Sequence, residues 1–256
     1  MYGHMKLIDT HCHINHEEHF PDPSKAIEAA LAAGIETLIA VALDEADAAR
    51  AIKLAEAHPC VFAVVGVHPS YSAGYAGSDW IREMLTHPKV VALGEIGLDY
   101  HWDHATREQQ DRALNEQLDL AEELKVPVVF HCREAYPDLL ERLESRPKMP
   151  YLFHCFAGNW EEAQRVLALG GIFGFDGPIT YKKNSDLRDL VAKLPHNSLV
   201  LETDSPYMTP EPHRGKPNSP ALLPLINKAV ADSLGISELE CAALTTKNAK
   251  RFFRLD

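Results

Sequence analysis

Eight short apolar runs, rich in β-branched residues and separated by amphipathic stretches, most narrow what this chain can fold into. The runs cover residues 7–8, 37–41, 61–65, 90–93, 126–130, 151–153, 171–175 and 199–201. They lack the polar alternation of a strand with one wet face, so they read as parallel strands covered on both sides. Helical periodicity fills the intervals at 24–33, 45–57, 79–85, 107–124, 136–143, 161–169 and 185–194, and two more helical stretches, 220–234 and 237–253, follow the last run. In the longest interval Ala113, Leu114, Leu118, Ala121 and Leu124 fall on one helical face. Gly34 and Gly170 stand just past helical stretches, where a left-handed cap is wanted. Strands alternating with helices build right-handed βαβ units. Eight such units predict an α/β fold, a closed (β/α)8 TIM barrel in a single domain, with an open doubly wound sheet as the runner-up. A chain of 256 residues suits one such barrel. Residues 1–4, ahead of a second methionine at Met5, read as a remnant of cloning, which leaves 5–256 as the expected domain.

Composition excludes several classes. Hydrophobic residues make up 46% and charged residues 24%, which rules out a disordered, collagen-like or membrane-bundle chain. No window approaches the ~18 uninterrupted apolar residues of a spanning helix, and the start, Lys6-Leu7-Ile8-Asp9, lacks the apolar core of a signal peptide. Five cysteines, an odd number in a chain without an export signal, fit a reducing interior, so the expected location is cytoplasmic. Lys and Arg number 25 against 37 Asp and Glu, a net charge of −12, which excludes a broad basic face for nucleic acid. A polyanionic substrate would need a local positive site, such as bound metal ions.

In parallel barrels chemistry collects at the C-terminal ends of the strands. The first run ends in Asp9-Thr10-His11-Cys12-His13, the third in Gly66-Val67-His68-Pro69 and the fourth in Gly94-Glu95-Ile96-Gly97-Leu98-Asp99-Tyr100. The fifth ends in His131-Cys132-Arg133, the sixth in His154-Cys155-Phe156 and the eighth in Glu202-Thr203-Asp204-Ser205-Pro206. With 14 His and 37 Asp and Glu, such residues occupy about one position in five, well below their density at these ends. Imidazoles and carboxylates so placed are the usual ligands of zinc, manganese and related ions. His11 and His13, two apart in an extended segment, face the same way. His131 and His154 end adjacent runs and read as ligands, as do Glu95, set near the flanking Gly94 and Gly97, and Asp204, which would also accept a proton. The same alternation turns Cys12, Cys132 and Cys155 away from the site, as small packing residues. His58-Pro59 and His87-Pro88 precede strands and read as structural, whereas His68-Pro69 follows one and is a catalytic candidate for substrate binding or proton delivery. His16, His19, His101 and His104 read as exposed loop residues. Arg133, two beyond His131, and Arg214 and Lys216, in a proline-flanked loop after the eighth run, read as substrate-binding cations.

Taken in order, these motifs resemble the TatD family of metal-dependent deoxyribonucleases, within the amidohydrolase-like metal barrels. The likeness spans residues 9–206 and continues through Pro212-His213-Arg214-Gly215-Lys216. It implies two divalent ions (Mg, Mn or Zn), one held by His11, His13, Glu95 and Asp204, the other by His131 and His154, with Glu95 as the bridge. It also implies hydrolysis of phosphodiester bonds in DNA. Two positions depart from the usual pattern: Ser70 stands where many members have a further His, and Ala157 where many have Ser or Thr before the glycine. Neither removes a ligand, but both bear on substrate contacts or rate.

The expected activity is that of an exonuclease-type deoxyribonuclease in which a metal-activated water attacks the diester. Glu95, Asp204 and His68 are the expected catalytic residues, and single-stranded DNA ends the expected substrate. No membrane association and no obligate protein partner are expected. A metalloamidase or esterase on the same barrel is the alternative. Against it, Arg133, Arg214 and Lys216 are more cations than a neutral amide needs. A metal-stabilised binding module without turnover would not need a complete water-activating set.

Overall fold

The structure is a computed structural model and describes residues 5–255. Residues 1–4, the expected cloning remnant, lie outside the described residues. In chain order the elements are β1 (Leu7–Cys12), α1 (Pro23–Ala32), β2 (Ile35–Val41), α2 (Glu45–Ala57), β3 (Val61–Val65), α3 (Asp79–Met84), β4 (Val90–Asp99) and α4 (Arg107–Leu124). They continue with β5 (Val128–Arg133), α5 (Tyr136–Glu144), β6 (Tyr151–Phe153), α6 (Trp160–Ala168), β7 (Ile172–Phe175), α7 (Ser185–Val191), β8 (Leu199–Leu201), α8 (Leu223–Leu234) and α9 (Glu238–Phe253). The strands form one eight-stranded sheet in chain order. The chain divides into two compact units, residues 41–172 and the segments on either side of them.

In the unit made of the two flanking segments, β1 pairs with β2 and β7 with β8, both parallel. The end of β8 also returns to β1. The Thr10 hydroxyl donates to Leu201 O at 3.0 Å, Asp204 N to His11 O at 2.9 Å and His13 N to Ser205 O at 2.8 Å. A last strand that returns to the first makes a nearly closed (β/α)8 barrel and not the open sheet. Leu7, Leu38, Ile39, Phe173, Leu199 and Val200 are fully buried. Pro220–Leu222 is a separate 3-10 turn ahead of α8. Residues 220–234 were expected as one helix, but the ring of Pro224 would meet the carbonyl of residue 220 and breaks it.

In the unit of residues 41–172, β3, β4, β5 and β6 pair in parallel in that order, and their apolar residues are buried, save half-buried Phe62, Val90 and Val91 toward the strand starts, as continuous apolar runs require. Helix α4 is capped by Thr106 and Gln109 in a reciprocal box. Its buried stripe is Gln110, Ala113, Leu114, Gln117, Leu118 and Ala121, with Leu120 also covered. Leu124, expected on that face, is 36% exposed, because it is the helix's last residue, beside the left-handed cap at Lys125. The two glutamines clamp strand ends. Gln117 accepts from Val67 N at 2.7 Å and donates to Val67 O at 3.3 Å, and Gln110 does the same at Asp99, at 2.8 Å each way.

Candidate metal centre

Three strands run further than their apolar residues suggest. β1 reaches Cys12, β4 reaches Asp99 and β5 reaches Arg133, so His11, Glu95 and His131 stand on the strands themselves. The ladder pairs His131 with Gly97, whereas His11 and Glu95 stand at register irregularities of β1 and β4, and the His11 backbone is held by Asp204 N–H and the Asp9 carboxylate.

Within residues 41–172, Glu95 is the hub. Its Oε1 lies 2.9 Å from His131 Nδ1 and 2.7 Å from His154 Nε2, and those two nitrogens are 3.3 Å apart. Donors that each sit ~2.1 Å from a tetrahedral ion are separated by roughly 3.4 Å; the two nitrogens match this, and the Glu95 contacts, at hydrogen-bond length, would open by about half an ångström around a cation. The other ring nitrogen of His131, Nε2, is 2.8 Å from Asp99 Oδ2. The second oxygen of Asp99 accepts from His101 N and Trp102 N. Burial pushes the Asp99 carboxyl up, but its bond and charge contact with His131 and these N–H groups outweigh burial and hold it at about 2. Burial pulls His131 down, but Asp99 and Glu95 reverse that and leave it raised. A carboxylate behind a ligating imidazole fixes its tautomer and its basicity. Close passage of β4 beside β5 is possible because residue 97 is glycine, at φ 147°; a Cβ there would fall on His131 O. His68 completes the set, its Nε2 3.7 Å from Glu95 Oε1. Its Nδ1 accepts from Ser70 N at 3.0 Å, so a backbone amide at the departing position orients it. His68, Glu95 and His131 can also group around one ion.

In the other unit, His11 Nε2 and His13 Nε2 are 3.3 Å apart, and Asp204 Oδ1 lies 3.3 Å from His13 and 3.8 Å from His11. These donors are buried and again spaced to share a cation. Asp204 follows β8 in the left-handed region, at φ 53°, and its own N–H bonds to His11 O, which brings the carboxylate to the two histidines. Asp9 is the brace. It accepts from Thr203 N at 2.9 Å, Thr203 Oγ1 at 2.6 Å and His11 N at 3.3 Å. Burial raises its carboxyl to about 8 in spite of those bonds. Glu202 is buried at the end of β8, and its carboxylate fills the space a Cβ at Gly174 would need.

The expected cations stand apart from carboxylates. The Arg133 guanidinium lies over the Trp102 ring at 5.5 Å. It does not pair with Glu134, which meets His101, nor with Asp138, which accepts from the Tyr100 hydroxyl. Arg214 lies over Tyr181 at 4.2 Å, and Arg214 and Lys216 are exposed. Cys12 and Cys132 are buried as expected, with thiols pushed up by burial. Cys155 departs from the strand rule: β6 ends at Phe153 and Cys155 turns at φ 43°, partly exposed. His87 meets Glu56 at 3.3 Å, a structural contact as expected. His19, His101 and His104 are exposed, whereas His16 is half-buried and groups with Glu18 and His19. Asp9, Asp99, Gln110 and Gln117 were given no role on sequence grounds. The glutamines have a legible signal, since positions 110 and 117 continue the α4 apolar stripe. Asp99 has none beyond its motif.

Two triads of imidazole and carboxylate on the strand ends of a (β/α)8 barrel define the class of metal-dependent barrel hydrolases. Residues 8–254 match the family model of TatD related DNases, and the chain belongs to the TatD family and is a hydrolase of it. It is 35% identical over 254 residues to an uncharacterized metal-dependent hydrolase, YabD, of Bacillus subtilis, covering 98% of this chain and 100% of that one. It is 34% identical over 261 residues to the 3'-5' ssDNA/RNA exonuclease TatD of Erwinia tasmaniensis, covering 97% and 100%. The crystal structure of YjjV, a TatD homolog from Escherichia coli, superposes with a TM-score of 0.92 at 32% identity, covering 98% of each chain. Among the described residues, no helix is long and apolar enough to cross a membrane.

Proposed function

We propose that the chain hydrolyses phosphodiester bonds at single-stranded DNA ends, with residues 5–256 acting as one catalytic domain in the cytoplasm. The observation that carries this reading is the Glu95–His131–His154 triad, with donors 2.7–3.3 Å apart and the Asp99 carboxylate behind His131. The family match from 8 to 254 and the printed activity of the Erwinia relative support it. Glu95, His131 and His154 would hold one divalent ion, and His11, His13 and Asp204 another. Bound ions of this kind polarise a phosphoryl oxygen and lower the pKa of a coordinated water.

The remaining roles fall to side chains of the chain itself. Asp204 accepts the proton of the attacking water. His68, with Nδ1 occupied by the Ser70 amide, presents Nε2 to position the diester or deliver a proton to the leaving group. Arg133, Arg214 and Lys216 contact phosphates; Arg does so through a planar fork and Lys as a point charge.

A metal-by-substrate matrix tests the proposal: Mg²⁺, Mn²⁺ and Zn²⁺ against single-stranded DNA, duplex DNA, RNA and an amide or ester reporter. Cleavage of single-stranded DNA with at least one ion is expected. Turnover confined to the amide or ester would sink the nuclease reading. Glu95→Ala is expected to abolish hydrolysis and lower metal content. Loss of one ion places Glu95 in its own triad alone, and loss of both shows that it serves both.

A further inference from the structure

From the β4–α4 segment we infer that Trp102, beside Arg133, is a stacking site for an unpaired nucleobase and gives this hydrolase its preference for single strands. The inference rests on the nuclease reading above and adds a substrate subsite to it.

The indole is 49% exposed. A single exposed aromatic needs no explanation by itself; the attachment of this one does. Asp99 Oδ1 accepts from the Trp102 N–H at 3.1 Å and from the His101 N–H at 2.9 Å, while Gln110 ties both backbone groups of Asp99 and also Ala105 O. The segment is thus pinned at its start and in its middle by buried polar groups, and the indole, met edge-on by His101 at 4.7 Å between centroids and lying parallel to His104 at 5.9 Å, is held at the surface by exposed loop side chains. The other oxygen of Asp99 holds His131. One carboxylate therefore holds both the backbone that carries the exposed indole and a candidate metal ligand, which ties the ring's segment to the centre where the phosphate of a nucleotide would sit.

Arg133 supplies the second element. It ends β5 two residues beyond His131, lies 5.5 Å from the indole centroid, and is not drawn off by Glu134 or Asp138. An indole beside an uncommitted guanidinium offers a π-face for a base and a fork for the adjoining phosphate. The protein carries a net charge of −12, so a broad electrostatic grip is closed to it. Stacking on an aromatic ring does not depend on net charge and accepts every base. Within residues 41–172 the described aromatics with large exposure, Tyr71, Trp102 and Trp160, all lie between a strand end and the body of the helix that follows it, after β3, β4 and β6. A base inside a duplex already has both faces stacked, so such a ring favours unpaired ends.

The test uses the holoenzyme. Thymidine monophosphate, which has no diester to cleave, is titrated against tryptophan fluorescence, with deoxyribose 5-phosphate as the probe lacking a base. Quenching by the nucleotide only is expected, and its loss in Trp102→Ala. In steady-state kinetics, Trp102→Ala is expected to raise KM for oligothymidylate roughly tenfold, with a much smaller change in kcat. The same variant is expected to leave KM unchanged for an oligomer whose terminal residues are abasic. Trp102→Phe should recover most of the loss, which a folding defect would not allow. Equal quenching by both probes, or the same KM change on normal and abasic oligomers, overturns the stacking site while leaving the nuclease reading intact. Quenching that depends on Trp102 in a protein that cleaves no nucleic acid with any metal leaves the site standing and overturns the nuclease reading.

Discussion

Asp99→Asn is the sharpest probe of the centre. The substitution preserves shape, and the Asn oxygen can still accept from the His101 and Trp102 N–H groups. The change is on the other side, where a carboxylate oxygen 2.8 Å from His131 Nε2 becomes an NH2 group. A donor then faces a donor. Relief requires the proton to move to Nδ1, the nitrogen that faces Glu95 and His154 and that a cation would use. Asp99 is 2% exposed, and against the effect of burial its bond and charge contact with His131 hold its carboxyl at about 2, well below the ordinary 3.8. Loss of an outer carboxylate behind a ligating imidazole weakens metal binding roughly 10–100-fold, or roughly 1.4–2.7 kcal/mol.

The assay is calorimetric titration of metal into the metal-free protein as a function of pH. A cation must displace the proton of His131, whose pKa is raised above 6.5. Affinity in the parent is therefore expected to fall as pH drops through that raised value. In Asp99→Asn the main group raising it is gone, so the fall moves to lower pH, and the gap between the proteins narrows on acidification. The metal-free protein carries a matching signature. Asp99, lowered, contributes stability above 3.8 that is lost as pH falls toward about 2, and His131, raised, contributes stability below 6.5 that is lost as pH rises through its folded value. Thermal melts should show this pair's full contribution between those limits, and Asp99→Asn should flatten it. Parental affinity with unchanged pH dependence in the variant would refute the reasoning.

Three further outcomes follow from the same geometry. Asp204→Asn is expected to lower kcat roughly 10²–10⁴-fold while metal analysis shows most of the ion retained, since an amide oxygen can still ligate. His68→Ala should lower kcat/KM at least tenfold with metal content unchanged, and stoichiometric loss of an ion would make His68 a ligand instead. Arg214→Ala with Lys216→Ala should flatten the logarithmic dependence of KM on salt by roughly 0.7 for each phosphate contact removed, and an unchanged slope would free that loop of any substrate role.

Most of the fold was legible because buried parallel strands write themselves as continuous apolar runs. Residues 61–65, 151–153 and 199–201 match β3, β6 and β8 at both ends, and 45–57 and 107–124 match α2 and α4. The strands that run long share one cause. β1, β4 and β5 continue past their last apolar residue into His, Gly, Glu and Asp, residues with weak strand propensity that are held extended by neighbouring strands. Tertiary hydrogen bonds decided what local preference did not, and they did so at the ligand-type positions.

The same division separates the donors from their supports. A donor such as His131 or His154 is conspicuous, because an imidazole at the end of an apolar run is chemically out of place. Asp99 and Asp9 are not: a carboxylate after a strand reads as a turn or a cap, and only distance shows that one faces His131 and the other Thr203. Gln110 and Gln117 were hidden differently. They occupy the apolar stripe of α4 as polar residues, and a search for hydrophobic periodicity discards them. Yet a buried glutamine must satisfy both ends of its amide, and each does so on the backbone of Asp99 or Val67, next to the brace of one imidazole and to His68. A polar residue at an apolar helix position in a barrel of this kind is therefore a pointer to the strand end it clamps, and the site could have been approached from its supports as well as from its ligands.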